Sequence, residues 1–169
     1  MSARELPPGS LLSLRLASWT LVEGGVYVEM LNSLMRPRLN LSDEAADFIA
    51  PMHPTSTIPL IPVTNYGAAV KWALENPERS VGKYVEAGSF LTTFPEIAKA
   101  FTRVTGKPAR FVPIDIDTWM AGAKVAGIDP EARLPRGATV DDETSFTFRK
   151  SFGAWWALRR DGGGDMSEG

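Results

Sequence analysis

Apolar residues recur along the chain in short bursts separated by glycine and proline, and the period of each burst predicts an element. Ser18 to Val22 is a β-rich run stopped by Gly24-Gly25, which predicts a strand. From Val26 to Arg36, the residues Val26, Met30, Leu31 and Leu34 share one side of a helix that Pro37 ends. Residues 38–64 show no sustained period and carry Pro51, Pro54, Pro59 and Pro62, which predicts a long surface loop. Beyond it, Asn65 can cap a helix in which Tyr66, Ala69, Val70, Ala73 and Leu74 fall at i, i+3, i+4, i+7 and i+8, stopped by Asn76-Pro77. Val81 to Ala87, closed by Gly88, has the composition of a strand.

The second half of the pattern is more sharply punctuated. Thr93 and Glu96 form a capping box that opens a helix with Ile97, Ala100, Phe101 and Val104 as its buried face, and Gly106 ends it. Arg110 to Ile114 predicts a strand, and Pro113 predicts that it lies at a sheet edge. Asp117 can cap a helix running to about Ala126. Phe148, Phe152, Trp155 and Trp156 give a last helix an aromatic stripe at i, i+4, i+7 and i+8. Helices of about three turns alternating with strands point to α/β layers. Only three strands are legible, and Leu21-Val22 reads as a strand buried on both faces by neighbours not visible in the pattern.

Composition narrows the chemistry. The 169 residues are 44% hydrophobic and 22% charged, which is ordinary for one globular domain. With 18 Lys and Arg against 20 Asp and Glu, there is no basic excess of the kind that phosphate neutralisation needs, so direct nucleic-acid binding is not expected. Zero cysteines exclude thiolate metal sites, disulfides and a Cys nucleophile, and the single His53 excludes a multi-His metal site. The run Leu11 to Leu16 is too short and too interrupted by Ser13 and Arg15 to span a membrane or to serve as a signal sequence, so a cytoplasmic location is expected.

Few residues stand out as chemistry. Gly24-Gly25 admits two readings: a ligand approaching the backbone before a helix N-terminus, or a tight turn that needs positive φ. No G-x-G-x-x-G and no G-x-x-x-x-G-K-[ST] occurs. The Tyr-x-x-x-Lys pair of short-chain reductases fails at each tyrosine, because Tyr27 is followed at that distance by Leu31, Tyr66 by Val70 and Tyr84 by Gly88. Tyr27 then reads as an aromatic at a cleft edge, with Glu29 on another side of the same turn. His53 reads as an exposed loop residue, and Asp141-Asp142-Glu143 as charge at a helix N-terminus. The aromatic stripe reads as core packing first and as an apolar substrate pocket second.

Four stretches together resemble the C-terminal part of the NmrA-like family, atypical short-chain dehydrogenase/reductase relatives. They are Trp19 to Leu31 (with Glu23-Gly24-Gly25-Val26-Tyr27), Ile61 to Val70, Asn76 to Tyr84, and Leu91 to Ala98 continuing to Val104-Thr105-Gly106-Lys107-Pro108. Their order and spacing follow the family from residue 18 to about 120. Two departures stand out: Glu23-Gly24-Gly25 where the family often has Arg-Pro-Gly, and Asn65-Tyr66-Gly67 where it has Asp-x-Gly.

The resemblance implies an α/β fold: part of a Rossmann-type NAD(P)-binding sheet with its smaller substrate lobe, without the N-terminal half that carries the Gly-rich turn. On that basis the chain divides into an N-terminal segment 1–17, a partial NmrA-like domain 18–161 and a disordered tail 162–169. It implies NADP as cofactor, with Gly24, Gly25, Tyr27 and Glu29 on the cofactor side of the cleft, and Trp155 and Trp156 toward the substrate. It assigns no catalytic residue. The activity it implies is an NAD(P)-dependent oxidoreductase, apparently truncated, acting on a small molecule in fungal secondary metabolism. The alternative is a non-catalytic redox sensor that binds a protein partner, in which case a nuclear location is open, or an inactive fragment. An open-edged Trp19–Val22 strand adds an expectation of self-association.

Overall fold

The computed structural model describes residues 3–5, 18–88, 90–134 and 145–160. The run Leu11 to Leu16, the acidic run at 141–143 and the tail 162–169 lie outside the described residues. The chain divides into two compact units, Met1–Leu31 with Ile58–Thr92, and Asn32–Thr57 with Thr93–Gly169.

The first unit holds two small sheets. In one, β1 (Ala3–Glu5), β7 (Lys83–Glu86) and β2 (Thr20–Glu23) stand in the order β1-β7-β2, with β2 parallel to β7 and β1 antiparallel to it. In the other, the order is β3 (Val26–Tyr27), β6 (Thr57–Ile61), β8 (Phe90–Thr93), with β3 parallel to β6. Helices α1 (Val63–Glu75) and α2 (Pro77–Ser80) complete the unit. Ser80 is 1% exposed and locks these pieces together: its hydroxyl donates to the Ala73 carbonyl at 2.6 Å, and its own carbonyl accepts from the Thr20 hydroxyl at 2.9 Å. A buried hydroxyl paired in this way avoids the penalty of an unsatisfied donor.

The second unit is one sheet, β4 (Arg38–Leu39), β5 (Ala46–Ala50) and β9 (Ala109–Pro113), with helices α3 (Phe94–Thr105), α4 (Ile116–Val125) and α5 (Phe148–Arg160). β5 and β9 run parallel over five residue pairs, from Ala46 opposite Ala109 to Ala50 opposite Pro113. Phe48, Phe94 and Trp156 are buried in this unit. Pro113 lies on the edge strand that it predicted. The capping box of Thr93 and Glu96 and the left-handed Gly106 (φ 70°) bound α3 as the sequence indicates.

Three expectations are corrected. The helix expected over Val26–Arg36 is a two-residue strand followed by a single 3-10 segment, Val28–Asn32. The loop expected over 38–64 contains β4, β5 and β6, and Ile58, Leu60 and Ile61 of β6 are buried. The helix caps move two or three residues upstream: α1 begins after Pro62 and not after Asn65, and Asp115 caps α4 in place of Asp117. Among the described residues, no helix is long and apolar enough to cross a membrane.

Candidate functional site

Because β2 and β7 are parallel, their carboxyl ends fall together, with Glu23 opposite Glu86 and the Ala87 N–H donating to the Glu23 carbonyl at 2.9 Å. Ligands of open α/β sheets bind outside the carboxyl ends of strands. The chain leaves β2 there through Gly24-Gly25 and enters β3, so the candidate segment Gly24–Glu29 lies where such a site is built.

Gly24 is not one of the left-handed glycines, which among the described residues are Gly82, Gly88, Gly106 and Gly127. Its requirement is space. A Cβ at Gly24 would lie 2.7 Å and 2.9 Å from two ring carbons of Tyr66, and 3.6 Å from the Ile61 side chain. Tyr66, in the first turns of α1, packs against a cluster of Ile61, Ala69 and Ala87, and its hydroxyl donates to the Val22 carbonyl at 3.0 Å. Tyr27 meets the Tyr66 ring edge-on, with centroids 5.7 Å apart and planes at 63°. Tyr27 itself is 38% exposed, and its hydroxyl has no hydrogen-bond partner among the described residues.

Glu29 has a different task. Pro62 supplies no side-chain cap for α1, and the first helical N–H, that of Val63, donates to the two Glu29 carboxylate oxygens at 3.2 and 3.3 Å. A carboxylate there satisfies an orphan donor and complements the positive end of the helix dipole. The structure therefore gathers Gly24, Tyr27 and Glu29 around the start of α1, with Gly25 half-buried in the link to β3. Sequence reasoning counted Tyr66 only as a helix-face residue. The signal was available in one respect: a tyrosine on an apolar face must find a partner for its hydroxyl.

Trp155 and Trp156 belong to the second unit. Trp156 is 3% exposed, edge-on to Trp119 at 5.5 Å and tilted against Phe94 at 6.3 Å, and its indole N–H has no partner among the described residues. Phe148 and Phe152 stack at 4.2 Å, and both lie against Trp119. The stripe is thus core packing along most of its length. Trp155 is half-buried, with the Arg159 guanidinium 5.8 Å from its ring centre.

The carboxyls and guanidiniums that shift in the described residues serve architecture. Arg110 donates to Asp43 at 2.5 Å and pairs with Asp47, opposite it on β5, at 2.8 Å. The bond from Arg110 holds the Asp43 carboxyl below its ordinary range, and Asp43 in turn raises Arg110. Arg149 is raised by Glu131 and then by Asp117, at 2.7 and 2.9 Å. His53 is exposed and shares a 2.8 Å hydrogen bond with Thr55. No cluster of three or more His, Asp or Glu that could hold a metal occurs among the described residues.

The profile of the NmrA-like family matches residues 13–127. A comparison with curated proteins returns no match. Among solved structures, the NAD complex of NmrA, a negative transcriptional regulator, aligns at 20% identity over 60% of this chain and 33% of that one, with a TM-score of 0.52. A doubly substituted NmrA aligns at 17% identity over 84% of this chain and 49% of that one (TM-score 0.48), and the NADP complex of NmrA at 15% identity over 87% and 55% (TM-score 0.47). The chain spans from a third to about half of the length of these structures.

Proposed function

The chain belongs to the NmrA-like family, and from that premise we propose that it acts by binding, not by hydride transfer: its Gly24–Glu29 segment borders an NAD(P) cleft and relays its state to a protein partner. The observation that carries this reading is the structural engagement of Glu29 and Tyr66 at the start of α1. The Glu29 carboxylate accepts from the Val63 N–H and the Tyr66 hydroxyl donates to the Val22 carbonyl, so both side chains serve as ties between α1 and the segments before it.

The residues present fit the nicotinamide end of a dinucleotide better than its pyrophosphate. Pyrophosphate recognition in this fold rests on a glycine-rich turn at a helix N-terminus, and the 169 residues contain no G-x-G-x-x-G. The N-terminus of α1 is already occupied by the Glu29 carboxylate, an anion that repels phosphate. The half-exposed Tyr27 ring offers a flat surface to an aromatic group. When bound, the dinucleotide would supply the redox state that such a protein senses; these residues would do no more than flank it.

One observation favours the oxidoreductase reading: Tyr27 is exposed and its hydroxyl is unpaired among the described residues, the state expected of a proton donor to a small carbonyl substrate. Such an activity has its natural setting in fungal secondary metabolism, the one implied by the resemblance. The two readings separate in one experiment. The full chain is mixed with NADPH and a panel of ketones and quinones, absorbance is followed at the reduced-nicotinamide band, and affinity for NADP and NADPH is measured by calorimetry. The expected result is weak dinucleotide binding, with Kd above about 100 μM, and no turnover. Turnover abolished by Tyr27→Phe would replace the binding reading with the catalytic one.

A further inference from the structure

The second unit contains a cavity of about 830 Å³ between the Arg36–Leu39 segment, Ile49 of β5, Ile114 just after β9, and α4. That volume lies within the range of roughly 300–1,000 Å³ in which small-molecule sites occur. Ile49, Ile114 and Trp119 give it an apolar lining. Its charge is one-sided: Arg36 and Arg38 line it, no Asp or Glu does, and neither guanidinium has an ion-pair or hydrogen-bond partner among the described residues. The guanidiniums of Arg110 and Arg149, by contrast, are matched to carboxylates.

Gly122 explains how Arg38 comes to lie over this cavity. The Arg38 guanidinium rests against α4 where a Cβ at Gly122 would stand 2.6 Å from its Nη2 and 3.6 Å from its Cζ. Glycine weakens a helix interior, so its presence in α4 costs the helix something while leaving room for the cation. An open pocket with apolar side chains at its base and the exposed, unpaired guanidinium of Arg38 at its rim is complementary to an apolar molecule that ends in a carboxylate, because guanidinium matches carboxylate through two parallel hydrogen bonds.

The geometry points to a binding site for a small apolar carboxylate, built wholly within the second unit, with Arg38 as the anion-recognising group and Gly122 as the residue that positions it. This site is separate from the dinucleotide reading and stands or falls without it.

The test titrates the full chain with 2-naphthoate, its neutral isostere 2-naphthamide, and acetate, by calorimetry and tryptophan fluorescence. Naphthoate is expected to bind saturably and at least roughly tenfold more tightly than the amide, and acetate not measurably, since it lacks the apolar body. Arg38→Gln should bring naphthoate down to the affinity of the amide. Gly122→Ala is the variant that protects the test against loss of folding: only the far end of a flexible side chain must move, so the melting temperature should hold or rise while naphthoate affinity falls severalfold and amide affinity stays. The inference is overturned by absence of saturable naphthoate binding, by equal affinity for naphthoate and amide, by acetate binding as well as naphthoate, or by a preference that survives both substitutions.

Discussion

At the scale of single residues, the contact that organises the candidate segment is a glycine against a tyrosine ring. With two ring carbons under 3 Å from the position of a Cβ at Gly24, and the ring pinned at its far end by the Val22 carbonyl, an added methyl group has no open direction. Overpacking of this kind costs about 1–3 kcal/mol. Gly24→Ala should lose that much in urea unfolding, and the same substitution in a Tyr66→Ala background should lose much less, since residues in contact couple. Equal losses in the two backgrounds would assign the glycine's requirement to its backbone instead. The pair of glycines was legible as either a backbone open to a ligand or a tight turn needing positive φ, and neither glycine has positive φ. What approaches Gly24 was not legible, because Tyr66 is 42 positions away from Gly24 in the chain and reaches it only after α1 folds back on β2. Glu29 was legible as a polar residue near a cleft, yet its partner is the N–H of Val63, a backbone group that no side-chain pattern reveals.

At the scale of elements, the capping box and glycine stop of α3 and the long periodic helices were readable, while the caps of α1 and α4 and the short buried strands were not. β5 reads Ala-Asp-Phe-Ile-Ala, and although burial alternates between half-buried and buried from Asp47 to Ala50, the apolar run Phe48-Ile49-Ala50 carries no polar alternation to mark it. A strand covered on both faces loses the period-two signal. β6 carries Pro59, which argues against a strand, but its pairing with β3 involves only Leu60 and Ile61, so the missing N–H breaks no bond on that side. The displaced cap of α4 has a similar cause. Asp115 and Asp117 are both plausible caps by type, and only Asp115 stands three residues before Thr118, whose N–H it accepts at 2.8 Å and whose hydroxyl it accepts at 2.6 Å. Those two bonds, the hydroxyl first and the N–H second, hold the Asp115 carboxyl below its ordinary 3.8. A carboxyl whose folded value is depressed contributes stability that is present above its unfolded value and is lost as pH falls through the folded value. Asp115→Ala should therefore melt at a lower temperature than the wild type near neutrality, and the gap should close as the pH is lowered from about 5 to below about 3. A gap that stays constant through this range would show that the ionised cap contributes nothing.

At the scale of the whole molecule, the described sheets end in strands with one free side. β2 stands last in the order β1-β7-β2 and pairs with no strand other than β7 among the described residues, with its Val22 carbonyl taken by the Tyr66 hydroxyl and its Leu21 36% exposed. An open edge of this kind presents backbone donors and acceptors in register for another strand, and edges that stay monomeric usually carry a Lys, a proline or a bulge. Thr20-Leu21-Val22-Glu23 carries none of these. Charge does little to hold copies apart, because the formal net charge is only −2. The expected behaviour is concentration-dependent self-association, seen in sedimentation velocity as a rising weight-average coefficient above about 10 μM. Leu21→Lys places a solvated cation beside that edge at a side chain already partly exposed, so it should shift the distribution toward monomer with little change in melting temperature. A wild-type chain that sediments as a monomer at every concentration, or a Leu21→Lys variant that associates to the same extent, would show that the edge of β2 is not the surface through which copies meet.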